Sequence, residues 1–515
     1  MLQRDDEATG GDLVGELPDG DMIEAGEFAT VEVSVSKERS PRIVLFSTGL
    51  AVFAVFLDTT VGFVTFPAIS AQFHAAGPST VSWVLNAYTL AFAALLIPAG
   101  RLADRIGRRK MFLVGVVVFT IGSMLCGLAP TVGVLIAAEV LEAVGAAILV
   151  PASLALVLQS FSGAQLPFAV AIWGAIGAAA GAAGPALGAM IVNWLNWRWA
   201  FFLNLPVGIL SLVLGRAVLP EGREANPGRL PDPLGVVLVT AGVGVLTFAI
   251  VKTNDWGWSS AAFAVTALVG LALIGLFVVR CRAVSNPLIH LGMFGVRNFR
   301  WGSGAMFVYA MGFNAMFLGN VLFLTMVWHY SILKAGFALS IGPAIVAATA
   351  PKFGKLAARV GQRALLIPGG ILMAAGGAYL MVRATVHPDY LGVYLPAFVI
   401  TAFGVSLSLP QLSSAAVQGL ALDQFAAGSA IVSAMRYLGS TFGVALVISF
   451  TTAAGAHLTL ADFHHVWWLL IGAMLAMSAL SIRLTRVVVI EPAVEQALVP
   501  EGDEVPLAPA FAECG

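Results

Sequence analysis

Three acidic residues stand where acids are costly. Asp58 sits in "AVFAVFLDTTVGFVTF" (51–66), and Glu139 and Glu142 sit in "VLIAAEVLEAVGAAILVP" (134–151), runs otherwise built from apolar and small residues. A charge at the bilayer centre costs at least about 2.5–3.5 kcal/mol, so an acid in such a run is a functional residue by default. Glu139 and Glu142 are one helical turn apart and share a face. Carboxylates crowded into a low-dielectric site cannot all ionise, and they titrate as one set. That behaviour suits a site that takes up and releases protons in exchange for a cation. The competing reading is structural, with one Glu permanently protonated and merely hydrogen-bonded between helices.

The elements that must position these acids are membrane helices. The chain has 515 residues, 59% hydrophobic and 11% charged, whereas soluble domains run near 45–50% and about 25%. Apolar runs closed by charge or by Gly and Pro predict an all-α polytopic membrane protein of about fourteen transmembrane helices. The predicted spans are 43–69, 80–100, 111–129, 132–154, 168–192, 199–218, 234–252, 260–280, 301–328, 336–351, 364–384, 391–417, 428–454 and 463–483. With the N-terminus in the cytosol, 22 of the 27 Lys and Arg fall on the cytosolic side and four outside, the bias that positive-inside topology predicts. Both termini are then cytosolic. At about 1.5 Å per residue, Asp58, Glu139 and Glu142 reach one level in the outer half of the bilayer.

The ends of the chain differ from its middle. Residues 1–40 carry eleven acids and only Arg4, Lys37 and Arg39 as bases, which predicts a disordered acidic tail over 1–41. A second disordered tail is predicted over 487–515. Cys126, Cys281 and Cys514 offer neither a disulfide framework nor metal-ligand spacing, so no metal is expected. No phosphate loop is present, which disfavours ATP-driven transport.

Two segments repeat. "GRLADRIGRR" (Gly100–Arg109) and "GKLAARVGQR" (Gly354–Arg363) agree at six of ten positions, 254 residues apart. Each follows one span and precedes the next, as in two-halved transporters. The fifth span holds Gly174, Gly177, Gly181, Gly184 and Gly188 on one face, with Pro185 as a kink point. Asn86, Asn314, Gln411 and Arg436 are further polar residues within spans, suited to a cavity wall or to interhelical hydrogen bonds. Trp194, Trp197 and Trp199 read as an interfacial aromatic belt.

"GRLADRIGRRK" resembles the cytosolic loop motif of the major facilitator superfamily, placed between the second and third helices as in that family. "LDTTVGFVTFPAIS" (Leu57–Ser70) is similar to the first-helix signature of its drug:proton antiporters, with Gly62-Phe63 in place of the usual Val-Asn. "NWRWAFFLNLPVG" (Asn196–Gly208) resembles the helix-five/six junction of the fourteen-span branch. The resemblance implies two six-helix halves, 42–218 and 301–486, joined by linkers and an inserted helix pair over 219–300. It implies that Gly100, Asp104, Arg105, Gly107, Arg108 and Arg109 form a conformational latch, Asp104 packing near the N-terminus of the span that starts near Gly428. Ala358 replaces Asp in the second copy, so one such latch is implied. Gly177, Gly181, Gly184, Pro185 and Gly188 look like the glycine-proline motif of exporters. The fourth helix departs from the family, which usually has Arg and Gln where this chain has Glu139 and Glu142. The reading is a monomeric plasma (inner) membrane, proton-coupled exporter of hydrophobic, cationic small molecules, not an enzyme, with no cofactor and no nucleic-acid partner. The alternative is a symporter for uptake or exchange of an anionic metabolite or lipid.

Overall fold

The computed structural model describes residues 41–161, 165–221, 232–420, 424–452 and 459–485. Both predicted tails lie outside the described residues, Pro41 apart, as does most of the 219–231 linker. Among the described residues, fourteen helices are long and apolar enough to cross a membrane, and there is no strand. The first six are α1 (Pro41–Gln72), α2 (Pro78–Ile106), α3 (Arg108–Leu128), α4 (Val132–Ser160), α5 (Ile172–Trp194) and α6 (Arg198–Val218). An added pair follows, α7 (Pro233–Val251) and α8 (Ala261–Ala283). The last six are α9 (Arg297–Val327), α10 (Ile332–Val360), α11 (Gln362–Arg383), α12 (Tyr390–Val417), α13 (Ala427–Thr451) and α14 (Leu460–Ile482).

Polar side chains within these helices largely satisfy themselves. Thr48, Thr59 and Thr60 on α1 each donate to the carbonyl four residues back, which spares a hydroxyl in an apolar surround. α8 is apolar all round, and Val265, Leu268, Leu271, Leu276 and Val279 are exposed on it. A helix with that surface belongs against lipid.

The repeated segments are joints rather than open loops. α2 continues through Arg101–Ile106, breaks at Gly107 alone, and α3 begins at Arg108. The second copy does the same: α10 runs to Val360, Gly361 breaks it, and α11 begins at Gln362. Gly107 has φ 126° and Gly361 φ 89°, a region costly for any residue with a Cβ. The shared glycine is thus the residue that lets two helices meet with no spacer. α10 also passes the expected end at 351, running through Pro343 and Pro351; membrane helices tolerate proline where neighbours make good its missing bond.

Helix pairing is duplicated. α3 packs on α4, α2 on α4, α1 on α5 and α6, and α3 on α6. The matching pairs α11/α12, α10/α12, α9/α13, α9/α14 and α11/α14 are also packed. Two seams join the sets, α2 against α13 and α5 against α10, each the counterpart of the other. α7 lies along the α2/α13 seam, touching both helices, and α8 packs behind α7.

The end of the bundle that carries the Gly107 and Gly361 joints is rich in Lys and Arg and is called the basic face; the opposite end is the far face. At the far face one continuous apolar cluster spans both sets, with Phe66, Leu135 and Phe201 from one and Leu322, Trp328 and Phe463 from the other. Phe63 and Phe317 meet across it with ring centroids 5.3 Å apart. Toward the basic face the buried apolar residues fall into several clusters, the larger ones around Phe112 and Leu149 and around Tyr309 and Met474; each reaches across the α2/α13 seam, the first to Tyr437 and the second to Ile97. The bundle is therefore sealed at the far face.

Candidate functional site

The first set of helices brings the three acids together. Asp58 lies on α1, which is seated on the glycine face of α5. A Cβ on Gly177 would come within 3.0 Å of Phe56, one on Gly184 would overlap Thr60, and one on Gly188 would sit 3.1 Å from Val61. Gly181 makes ordinary contact with Thr60, and Gly174 meets nothing. The stripe thus holds α1 within its own set. Pro185 instead presents its carbonyl to Gly336 of α10 across the seam.

Glu139 and Glu142 ride on α4, which starts at Thr131, whose side chain caps Val134 N–H. α4 lies almost backbone to backbone on α3. A Cβ on Gly122 would come 2.6 Å from the Glu142 Cα, and Gly115 and Gly145 are as tightly placed against Leu149 and Phe119.

Asn204, inside α6, closes the site. Its Nδ2 donates to Asp58 Oδ1 at 2.9 Å, to Ser123 Oγ at 3.0 Å and, more weakly, to Glu142 Oε1 at 3.4 Å. The Ser123 hydroxyl in turn donates a hydrogen bond to the Phe201 carbonyl at 3.0 Å. The Cys126 thiol donates to Glu142 Oε2 at 3.4 Å. Asp58, Glu139 and Glu142 are 9%, 6% and 0% exposed. No basic side chain bonds any of the three among the described residues. Arg198 is the nearest one in chain order to Asn204, and it is turned to the Gly127 and Ala129 carbonyls at 3.2 and 2.7 Å. Tyr88 on α2 is also buried with its hydroxyl unpartnered. Three buried carboxylates without a fixed cation need positive charge from a mobile source, because a bare buried charge is too costly. Protons or a cationic ligand can supply it.

The other expected residues are placed elsewhere. Asp104 pairs with Arg108 one turn on, with Nε and Nη2 both at 3.0 Å, and Arg109 donates to the Arg216 carbonyl at 2.6 Å at the end of α6. Gly100 lies in ordinary contact with Pro151, and Arg105 is exposed. Arg101, rather than Asp104, lines a cleft with Ala427 and Ile431 of α13 and the 286–293 segment. Asn86 is fully buried with neither amide atom partnered, Gln411 Nε2 is likewise unpartnered, and Asn314 donates to the Ala310 carbonyl at 2.9 Å. Arg436 stacks on its neighbour Tyr437 at 4.9 Å and donates to its hydroxyl at 3.2 Å. None of these four bonds the acidic site. Trp194 and Trp199 are exposed as a belt requires, but Trp197 is buried and donates to Gln72 at 2.7 Å; it is an interhelical strut.

Asn204, Ser123 and Cys126 were not singled out by sequence. Asn204 alone carried a signal, as a lone amide in "AFFLNLPVG" (200–208).

Comparison with known proteins places this geometry in context. The sequence model of the Major Facilitator Superfamily matches residues 48–444. The chain is 33% identical over 429 residues to the cephamycin export protein CmcT of Amycolatopsis lactamdurans, covering 83% of this chain and 88% of that one. It is 33% identical over 419 residues to the multidrug resistance protein Stp of Mycobacterium tuberculosis (strain ATCC 25618 / H37Rv), covering 81% and 76%. It is 31% identical over 415 residues to the puromycin resistance protein pur8 of Streptomyces alboniger, covering 78% and 80%. Among solved structures, an auto-inhibited POT family peptide transporter superposes with TM-score 0.63 at 14% identity, covering 88% of this chain and 98% of that one; at that identity the likeness is one of fold.

Proposed function

Since the chain belongs to the major facilitator superfamily, a family of multi-pass membrane transporters and not of enzymes, we propose that it is a proton-coupled exporter of hydrophobic, cationic small molecules. The observation that carries this reading is the buried trio Asp58, Glu139 and Glu142, of which Asn204 joins Asp58 to Glu142, with no basic side chain bonded to any of the three among the described residues. Protons neutralise the trio in one phase of the cycle, and a cationic substrate does so in the other. Each proton entering down the membrane potential supplies about 2.3 kcal/mol per 100 mV. Export rather than uptake is supported by relatives named for cephamycin export, multidrug resistance and puromycin resistance. The basic face is the cytosolic one by the positive-inside rule.

Alternating access follows from the two helix sets, 42–218 and 301–486, rocking about their seams. The apolar cluster that closes the far face supports an inward-facing reading of this state. Asp104 then rests on Arg108, and the latch forms when the basic face closes and Asp104 reaches the N-terminus of α13. Asn86, Asn314, Gln411 and Arg436 supply polar positions along the path.

The test is pH-gradient-driven ethidium exchange in proteoliposomes with the wild type, Asp58→Asn, Glu139→Gln and Glu142→Gln. Wild type should exchange ethidium for protons, and Asp58→Asn and Glu139→Gln should each lose the coupling. Normal exchange by all three variants would make the trio structural, and absence of ethidium flux in the wild type would remove the cationic substrate class.

A further inference from the structure

Cys126 Sγ and one carboxylate oxygen each of Glu139 and Glu142 lie within 4.8 Å of one another, all three residues buried. The closest pair, Cys126 Sγ and Glu142 Oε2, is 3.4 Å apart. A four-coordinate zinc-like ion, with bonds of about 2.3 Å to sulfur and about 2.0–2.2 Å to oxygen, holds its ligands about 3.3–3.8 Å apart. One edge of such a tetrahedron is therefore already formed. A second observation concerns Glu139. It is 6% exposed, forms no hydrogen bond among the described residues, and holds a carboxylate oxygen within 4.8 Å of both the thiol and the Glu142 carboxylate. A buried carboxyl left unpaired beside a thiol and a second carboxyl is an open ligand.

We propose that Cys126, Glu139 and Glu142 form a binding site for a thiophilic divalent cation of the zinc class. The donor set argues the class: a thiolate selects against magnesium and calcium, which take oxygen ligands only. The backbones are held for it, since Gly122 brings α3 against α4 at Glu142. Asp58 is linked to Glu142 through Asn204 but lies outside the three-residue set, so the fourth position is left to solvent. On binding, the thiol gives its proton to solvent, as does any carboxyl that carries one, and sulfur and oxygen lone pairs go to the metal. The spacing hides the site in the sequence, because the thiol is on one helix and the two carboxyls on the next. A metal held here also excludes protons from the trio and so blocks exchange; that consequence rests on the proton-coupling reading, whereas the binding does not.

The experiment is titration of purified full-length protein in detergent with Cd2+, read by the ultraviolet thiolate-to-cadmium charge-transfer band, in a Cys281→Ala/Cys514→Ala background. The expected result is a saturable band at one equivalent per chain. Cys126→Ser should abolish it, and Glu139→Gln should weaken binding more than about tenfold. Gel-filtration profiles matching the parent confirm that both variants are folded, and Leu268→Ala, exposed on α8, should leave the band unchanged. No band in the parent, or a band that survives Cys126→Ser, overturns the proposal. Undiminished ethidium exchange by Cd2+-saturated protein would count against the proton-coupling reading alone.

Discussion

Asn204 has two amide protons and three acceptors around it, Asp58, Ser123 and Glu142. Removing it strands buried acceptors, each costing about 1–3 kcal/mol. Asn204→Ala should therefore lower the thermal midpoint in detergent, and its effect should be non-additive with Glu142→Gln. A double-mutant cycle should return a coupling of about 0.5–3 kcal/mol; strict additivity would mean the 3.4 Å contact contributes nothing. The acids themselves were legible in the sequence because each is an isolated charge in an apolar run. Asn204, Ser123 and Cys126 were not, because small polar residues are scattered through membrane helices and only the packing of three helices reveals which of them face an acid. Arg436 shows the converse. It was conspicuous in the sequence, yet it stacks on its own neighbour and leaves the site uncompensated.

At the scale of helices, the site depends on two close approaches made by glycine. Gly122 abuts the backbone of Glu142, where no rotamer change can make room, so Gly122→Ala must push α3 and α4 apart. Overpacking of this kind costs about 1–3 kcal/mol, and here it also moves the thiol from the carboxylate. Gly184 abuts the Thr60 side chain instead. Gly184→Ala should be destabilising alone and partly rescued by Thr60→Ala, while no side-chain deletion rescues Gly122→Ala; thermal unfolding of the four proteins decides the point. The fourteen helices could be read from apolar runs of membrane length, and the glycine face of α5 from its 3–4 spacing. Which helix that face would meet was not readable, because spacing gives a face and not a partner. The end of α10 was misplaced because proline and lysine, helix-ending signals in water, lie here within a helix that carries on to Gly361.

At the scale of the molecule, the inserted pair is fastened on the basic face by an ion pair. Asp232 caps α7 and accepts from Arg280 of α8, with Nη2 at 2.8 Å. Hydrogen bonding from Arg280 holds the Asp232 carboxyl below its ordinary value of 3.8, against a smaller opposing effect of burial. A lowered folded-state value means stability that is present above the unfolded value and lost as pH falls through the folded one. Asp232→Asn, which keeps the cap, should thus unfold at lower temperature than wild type at pH 7, and the gap should close below about pH 3.8. The sealed far face makes a second prediction. Phe63→Cys with Phe317→Cys, joined by a short bifunctional methanethiosulfonate, should stop ethidium exchange, and reduction should restore it; unimpeded exchange while cross-linked would mean that this face need not open. The inserted pair has one more effect on that opening. Near the far face, α7 is tied to both helix sets at once, with Ser79 donating to the Val251 carbonyl at 3.4 Å and Thr253 sharing a hydroxyl bond with Ser449. Among the described residues the α5/α10 seam has no such strap. Both seams are packed directly, and α7 covers one of them from outside, so the α5/α10 seam is the one left uncovered, the side from which a lipid-dissolved molecule would meet the passage.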